Sequence, residues 1–122
     1  MSYQDKQTGR RGEQMALIHL EGQGYVILEQ NYRTKLGEID IIACDREVVC
    51  FIEVKTRTSI DFGRPGESIT RSKRQKMIQS AWGYLKFKKW ENRACRFDVV
   101  SIILGKGGQM EVEIIKNAFE ID

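Results

Sequence analysis

The chain has 122 residues, of which 41% are hydrophobic and 30% charged, and its formal net charge at pH 7 is +3. This length can close one hydrophobic core, and the composition is that of a globular protein, which excludes a disordered chain. No stretch reaches the roughly 18 apolar residues of a membrane-spanning helix, so we expect a cytoplasmic protein of one domain, residues 1–122, without a membrane partner. The chain has a single histidine, so a His-based triad is without support. Its three cysteines form no C-x-x-C pair, which leaves a zinc site without support and favours reduced thiols in the core.

Hydrophobic periodicity predicts one helix followed by three strands. Apolar residues at three-residue steps indicate a helix from about Thr8 to Glu21, and Gly22 and Gly24 end the pattern as a helix C-cap would. Three β-branched and aromatic runs then predict sequential antiparallel strands: YVILEQNYR, GEIDIIAC and VVCFIEVKTR. The first half of the chain is therefore expected to form a helix and a three-stranded meander.

The second half predicts a loop, a helix and a hairpin. Gly63, Pro65 and Gly66 break any period, which favours a flexible loop over residues 58–67. Ser68 or Thr70 can cap a second helix. Its inward residues at helical spacing are Met77, Ile78, Ala81, Tyr84 and Leu85. The runs RFDVVSIIL and MEVEIIK, joined by GKGGQ, predict a closing hairpin, and the order αβββαββ indicates an α/β or α+β sheet with helices packed on it.

Charged residues interrupt two of these apolar strands. Asp40 lies in the second strand, and Glu53 and Lys55 lie in the third. Side chains alternate along a strand, so Glu53 and Lys55 share one face of the sheet. If the two strands pair through the turn near Asp45, Asp40 falls opposite the Glu53 region. Two carboxylates and an ammonium group are then expected to converge.

This convergence suits metal-assisted hydrolysis of a phosphodiester. Asp40 and Glu53 can hold Mg²⁺ or Mn²⁺, which prefer carboxylate oxygens, and Lys55 can orient water or offset charge on the phosphoryl group. The alternative interpretation is a structural ion pair at a strand edge. Glu38 is assigned to the turn that starts its strand, and Asp98 either orients Arg96 or Lys55 or makes a structural hydrogen bond.

A basic segment follows the predicted loop. Between Thr70 and Lys89 there are seven Lys or Arg and no acidic residue, which favours a polyanion partner, although a solvated basic helix gives the same pattern. Lys73 is expected nearest the charged strands. The candidate nucleic-acid contacts are Arg57, Arg64, Arg71, Lys73, Arg74 and Lys76. Trp82, Phe87 and Trp90 either stack unpaired bases or belong to the core. Nothing in the sequence predicts readout of bases, so we expect structure-directed binding.

Several motifs occur together in order at fitting distances. GEID at 37–40, FIEVKTR at 51–57, FG at 62–63 with Pro65, and RFDVV at 96–100 closely resemble the uncharacterised bacterial YraN-like family. That family is grouped with the Holliday-junction-resolvase-like branch of the PD-(D/E)xK nuclease superfamily. The resemblance, from about residue 9 to residue 100, implies an α/β restriction-endonuclease-like fold with an αβββαβ core, a mixed sheet flanked by helices, and here an extra C-terminal strand.

The resemblance also implies roles for individual residues. It places Asp40, Glu53 and Lys55 at the catalytic and metal positions, and it matches Glu13 with an acid on the first helix of resolvase-like relatives. A solvated glutamate is the alternative for Glu13, and the Val54 carbonyl is expected as a further metal ligand. Resolvase-like relatives act as symmetric dimers, so a homodimer is plausible.

The function that follows is a Mg²⁺- or Mn²⁺-dependent endonuclease that hydrolyses phosphodiester bonds in DNA, directed by branched or damaged structure. DNA is favoured over RNA as the nucleic-acid partner. The alternative is a non-catalytic nucleic-acid-binding module that retains the nuclease fold.

Overall fold

The computed structural model describes residues 3–58 and 69–119, with the side chains of residues 3–8 and 106 left aside. The predicted loop over 58–67, apart from Thr58, and Arg64 within it therefore lie outside the described residues. Within these residues the chain forms two α-helices, five strands and one 3-10 turn at 106–108. The helices and strands are α1 (Tyr3–Gly22), β1 (Val26–Thr34), β2 (Gly37–Asp45), β3 (Val48–Thr58), α2 (Arg71–Lys88), β4 (Cys95–Leu104) and β5 (Met110–Phe119). This is the predicted order αβββαββ. Helix α1 begins at Tyr3, earlier than the predicted start near Thr8. The residues before Thr8 are polar, so they carry no hydrophobic period from which the earlier start could be predicted.

The five strands form one mixed sheet in the order β1-β2-β3-β4-β5. β1–β2, β2–β3 and β4–β5 pair antiparallel, and β3–β4 pair parallel. A parallel pair needs a crossover connection, and α2 lies in that connection. The predicted meander, second helix and closing hairpin are confirmed, as is the mixed α/β sheet flanked by helices with an added C-terminal strand.

Each face of the sheet carries its own hydrophobic core. On the face covered by α2, Val49, Phe51 and Phe97 pack against Met77, Ala81, Tyr84 and Leu85. On the face covered by α1, Cys50, Ile52 and Val100 pack against Ala16 and Leu20. The alternation predicted for β3 is therefore confirmed, and it directs Glu53 and Lys55 toward α2. The three cysteines are free thiols, with Cys44 and Cys50 buried and Cys95 half-buried.

Helix α1 lies unusually close to the end of β3 at one glycine. Gly12 is buried, and a Cβ atom there would lie 1.9 Å from Thr56 Oγ1. A larger side chain at this position would fit only if the Thr56 side chain turned or the helix moved away. The close approach brings Glu13, the next residue along α1, to the same end of the sheet.

Helix α2 begins with a side-chain cap. The hydroxyl of Thr70 accepts a hydrogen bond of 3.1 Å from the backbone N–H of Lys73, so Thr70 is the cap of the two candidates that the sequence offered. This fixes Lys73 in the first turn of α2. Within the described residues, neither helix is long and apolar enough to cross a membrane.

Candidate active site

The candidate site lies where β2 and β3 part. Their pairing runs from Asp45 opposite Val48 to Ile41 opposite Ile52 and ends there. At the next position Asp40 lies on β2, and its Oδ2 accepts a hydrogen bond of 2.8 Å from the Val54 N–H of β3. A side-chain carboxylate thus takes the place of a backbone acceptor at the point of divergence, which holds Asp40 rigidly against β3.

Glu53 is the buried charge of the site. The residue is only 4% exposed, and its carboxylate faces two ammonium groups. Oε1 forms an ion pair with Lys73 Nζ of α2 and lies 3.5 Å from Lys55 Nζ of β3. A carboxylate can be buried at tolerable cost when it is paired in this way. The structure therefore brings Glu53 and Lys55 together as predicted and adds Lys73 to them.

A second cluster adjoins Asp40. One carboxylate oxygen from each of Glu13, Glu38 and Asp40 lies within 4.8 Å of the others. Glu13 therefore reaches the site and does not merely face solvent. Glu38 also pairs with Arg33 at 3.3 Å, and its place in the cluster differs from its assignment to a strand-start turn. Strand alternation is a signal that could have found this arrangement, because Glu38 and Asp40 are two residues apart on one strand and point the same way.

The crowding of carboxylates changes their acidity. The pKa of Asp40 is raised to about 7 by burial and by the charge on Glu53, while the hydrogen bond from the Val54 N–H opposes the rise. The pKa of Glu13 is also raised, first by burial and then by the charge on Glu38. Placing several negative charges together without a cation is therefore unfavourable here.

The two lysines respond in opposite directions. Burial, followed by the nearby Lys73 charge, lowers the pKa of Lys55. Burial also acts to lower the pKa of Lys73, but the hydrogen bond and charge of Glu53 outweigh it and leave the pKa raised. Lys73 is thus the principal counter-ion of Glu53, and Lys55 is held beside the pair by a longer contact.

The donor set fits a hard divalent cation. Glu13, Glu38 and Asp40 offer carboxylate oxygens close together, and one or two carboxylates plus water are the usual protein ligands of Mg²⁺. Glu53 lies beside this cluster but is engaged by lysines. The backbone N–H of Val54 is engaged by Asp40, whereas a ligand role for the Val54 carbonyl stays a prediction.

The basic residues of α2 extend from the site. Lys73 contacts it directly, Arg71 and Lys76 are exposed, and Arg74 is half-buried. Arg57 is half-buried near the end of β3. Whether these side chains bind nucleic acid stays a prediction, while the ammonium of Lys73 pairs with Glu53.

The three aromatic residues considered for base stacking, Trp82, Phe87 and Trp90, differ in their exposure. Trp90 is half-buried and packs edge-on against Tyr84, with ring centroids 6.2 Å apart, so it belongs to the core. Trp82 is 49% exposed and Phe87 is 78% exposed on α2. The core interpretation holds for Trp90 alone.

Asp98 lies away from the candidate site, among the side chains of a buried polar network. It is fully buried and accepts hydrogen bonds from Arg96 Nε at 2.8 and 3.1 Å and from the Asn117 N–H at 2.9 Å. Arg96 further donates to Asp45 and Tyr25. Asp98 thus pairs with Arg96, which fits both the orientation of Arg96 and a structural hydrogen bond, and no contact with Lys55 is seen among the described residues.

The family model and the similar proteins point to the same family. The model of "Uncharacterised protein family UPF0102" matches residues 12–102. A UPF0102 protein of Clostridium botulinum (strain Hall) is 46% identical over 99% of this chain and 100% of its own length. UPF0102 proteins of Syntrophus aciditrophicus and Dictyoglomus thermophilum are 44% and 42% identical, covering 97% and 94% of this chain and 92% and 98% of their own lengths. The chain therefore belongs to the UPF0102 family, the YraN family whose motifs it carries.

Proposed function

We propose that the protein is a divalent-metal-dependent endonuclease that hydrolyses phosphodiester bonds in DNA, with branched or damaged DNA as its substrate. The observation that carries this proposal is the convergence at the end of β2–β3 pairing. Asp40 is fixed there by the Val54 N–H, next to the buried carboxylate of Glu53 and the ammonium of Lys55. Acidic and ammonium groups on adjoining strands form the kind of site that metal-assisted phosphodiester hydrolysis requires.

The cofactor in this proposal is Mg²⁺ or Mn²⁺, held by Asp40 with Glu13 and Glu38, and by Glu53 once Lys73 yields its contact. When bound, the cation would supply positive charge beside the phosphodiester oxygens. The fit rests on the oxygen donors clustered around Asp40.

The protein's own residues have distinct roles in the proposal. The Val54 N–H keeps Asp40 in place, so the ligand atom needs no reorganisation when substrate arrives. The ammonium of Lys55, half-buried beside Glu53, would donate a hydrogen bond to the attacking water or to a phosphate oxygen. Lys73 and Lys76, on the first turns of α2, would pair with the phosphates that flank the cut.

A second candidate function is favoured by one specific contact. Glu53 is already neutralised by Lys73 and Lys55, which is what a structural ion pair at a strand edge would look like. A protein that used the pair only in this way would be a nucleic-acid-binding module without catalysis. It would bind DNA with strong salt dependence and form no metal-dependent product.

Cleavage of labelled DNA separates the two candidates. Linear, nicked, flapped and four-way-junction DNA would be incubated with Mg²⁺ or Mn²⁺ and with wild-type protein, Lys55→Ala or Asp40→Ala. We expect a branched substrate to be cut by the wild type and by neither variant. Lys116→Ala is the matched control, since Lys116 is an exposed lysine on β5 that pairs with Asp45 and not with the site.

The outcomes decide the proposal. Full-rate cutting by Lys55→Ala, with Lys116→Ala behaving identically, would remove Lys55 from the mechanism. Salt-sensitive binding by all four proteins with no product under either metal would establish the binding module instead.

A further inference from the structure

A hollow beside the candidate active site has no role in the chemistry described so far. It is small, about 80 Å³, and opens to solvent, so it lies well below the volume of a closed small-ligand site and would seat only part of an occupant. One wall is the turn into β2 and the other is a flank of α2. The lining residues are Leu36, Gly37, Glu38, Lys73, Lys76, Met77 and Ser80.

The two walls are fixed relative to each other. The hydroxyls of Thr34, at the end of β1, and Ser80 of α2 lie 2.9 Å apart in a hydrogen bond. Lys73, Lys76 and Ser80 follow one another at spacings of three and four residues, so they lie along one side of the helix. The hydrogen bond between Thr34 and Ser80 thus ties the start of the turn into β2 to the flank of α2.

The hollow is lined by both apolar and cationic side chains. Met77, 3% exposed, and Leu36, 42% exposed, present apolar surface, while Lys73 and Lys76 place cations on the helix wall. An occupant that suits both needs a flat apolar part and a negative charge. A nucleotide has both, in its base and its phosphate.

The position of the hollow ties it to the cut. Lys73 and Glu38 line it and also belong to the ion pair with Glu53 and to the carboxylate cluster around Asp40. A nucleotide in the hollow would thus lie next to the phosphodiester at the site. A base inside a duplex is stacked on both faces and paired along its edge, so it can enter only after unpairing.

We infer that this hollow receives an unpaired base adjacent to the scissile phosphate, so that the protein selects DNA with unpaired nucleotides at the cut. The inference rests on the proposed function, because it assumes that DNA binds across the carboxylates. It explains how a protein without base readout would prefer gaps, flaps or branch points to intact duplex. The apolar turn residue Leu36 is then a specificity-determining residue.

Two substitutions of the same type test the inference. Leu36→Ser removes apolar surface from the hollow, and Ile18→Ser removes an apolar side chain from α1 that is also exposed, at 62% against 42% for Leu36. Affinity would be measured without cleavage, in Ca²⁺, for a duplex with a short gap and for a fully paired duplex of the same sequence. A 2-aminopurine in the gap reports by its fluorescence whether the base leaves its neighbours.

We expect wild type and Ile18→Ser to bind the gapped DNA more tightly than the paired DNA, with a rise in 2-aminopurine fluorescence. Leu36→Ser should lose about threefold to tenfold in affinity for the gapped DNA only, and the fluorescence rise should shrink. Equal binding of gapped and paired DNA, or equal losses in the two variants, would overturn the inference.

The same experiment keeps the inference separate from the proposed function. Cleavage that needs Lys55 but ignores unpaired bases would refute the role of the hollow and leave the nuclease standing. Absence of binding to either DNA would refute both.

Discussion

Replacing Lys73 by methionine probes the ion pair at the centre of the candidate site. The substitution keeps an unbranched side chain of similar length and removes the ammonium that contacts Glu53 Oε1. A hydrogen bond to a charged group contributes about 1.5–3 kcal/mol. Lys73 is 40% exposed, so solvent screens the pair, and Lys55 remains 3.5 Å from the same oxygen. We therefore expect Lys73→Met to lower the free energy of unfolding by about 1–2 kcal/mol in the absence of divalent cation.

Divalent cation should reverse much of this loss. In the proposed function a bound cation takes over the neutralisation of Glu53, so the Lys73 ammonium and the cation compete for one carboxylate. A ligand that binds the folded state stabilises it, and Lys73→Met offers that ligand a site without its competitor. The stabilisation by saturating Mg²⁺ should thus be larger in Lys73→Met than in wild type.

Urea denaturation with and without Mg²⁺ measures both effects. Lys76→Met is the matched control, because Lys76 is an exposed lysine one turn further along α2. The ion pairs of Glu53 with described residues are to Lys55 and Lys73, and not to Lys76. Two results would refute the reasoning. If Lys73→Met is as stable as Lys76→Met without metal, the pair contributes nothing, and if Mg²⁺ stabilises both variants equally, the cation does not compete with Lys73.

Three further substitutions test the framework around the site. Gly12→Ala should destabilise the protein by about 1–3 kcal/mol in thermal unfolding, because its methyl group would overlap Thr56, and wild-type stability would contradict the close contact. Asp98→Ala should cost about 3–5 kcal/mol in urea unfolding, since it leaves Arg96 half-buried without its main partner, and a loss below about 1 kcal/mol would count against the pair. Asp45→Asn tests a pH effect, since the hydrogen bond from Arg96 lowers the pKa of Asp45 and its ionised form therefore stabilises the fold above its unfolded pKa. The stability gap to wild type should be present at about pH 7 and close as the pH falls below about 4, and a gap unchanged by pH would contradict this assignment.

The order of elements could be predicted because each one carries a local signal. The alternation in β3 and the helical period in α2 follow from which side chains face the core, and both cores bear them out. The N-terminal start of α1 carries no such signal, since the residues there are polar. Local patterns thus predict the sheet and the packed faces, but they do not predict a helix start made of polar residues.

The candidate site could be predicted only where its residues share neighbouring strands. Asp40, Glu53 and Lys55 are linked by strand alternation and by one tight turn, so their convergence follows from the pairing of β2 with β3. The contact of Glu53 with Lys73 depends instead on where α2 docks after the crossover. The requirement for glycine at position 12 depends likewise on how closely a helix approaches a strand on the opposite face. Distances of this kind are set by tertiary packing, which no short sequence window encodes.

The arrangement of charges divides the site into two halves. Glu53 faces two ammonium groups, whereas Asp40 and Glu13 have no ion pair among the described residues. A purely structural cluster would be expected to neutralise every buried carboxylate, since an uncompensated one costs free energy, and the raised pKa of Asp40 reflects that cost. In the proposed function, a divalent ion would relieve the repulsion at Asp40 and Glu13, and a phosphate would find its counter-charge in the half with lysines. The divergence of β2 from β3 keeps these halves next to each other, which is the arrangement that the proposed function needs to bring a metal ion and a phosphodiester into contact.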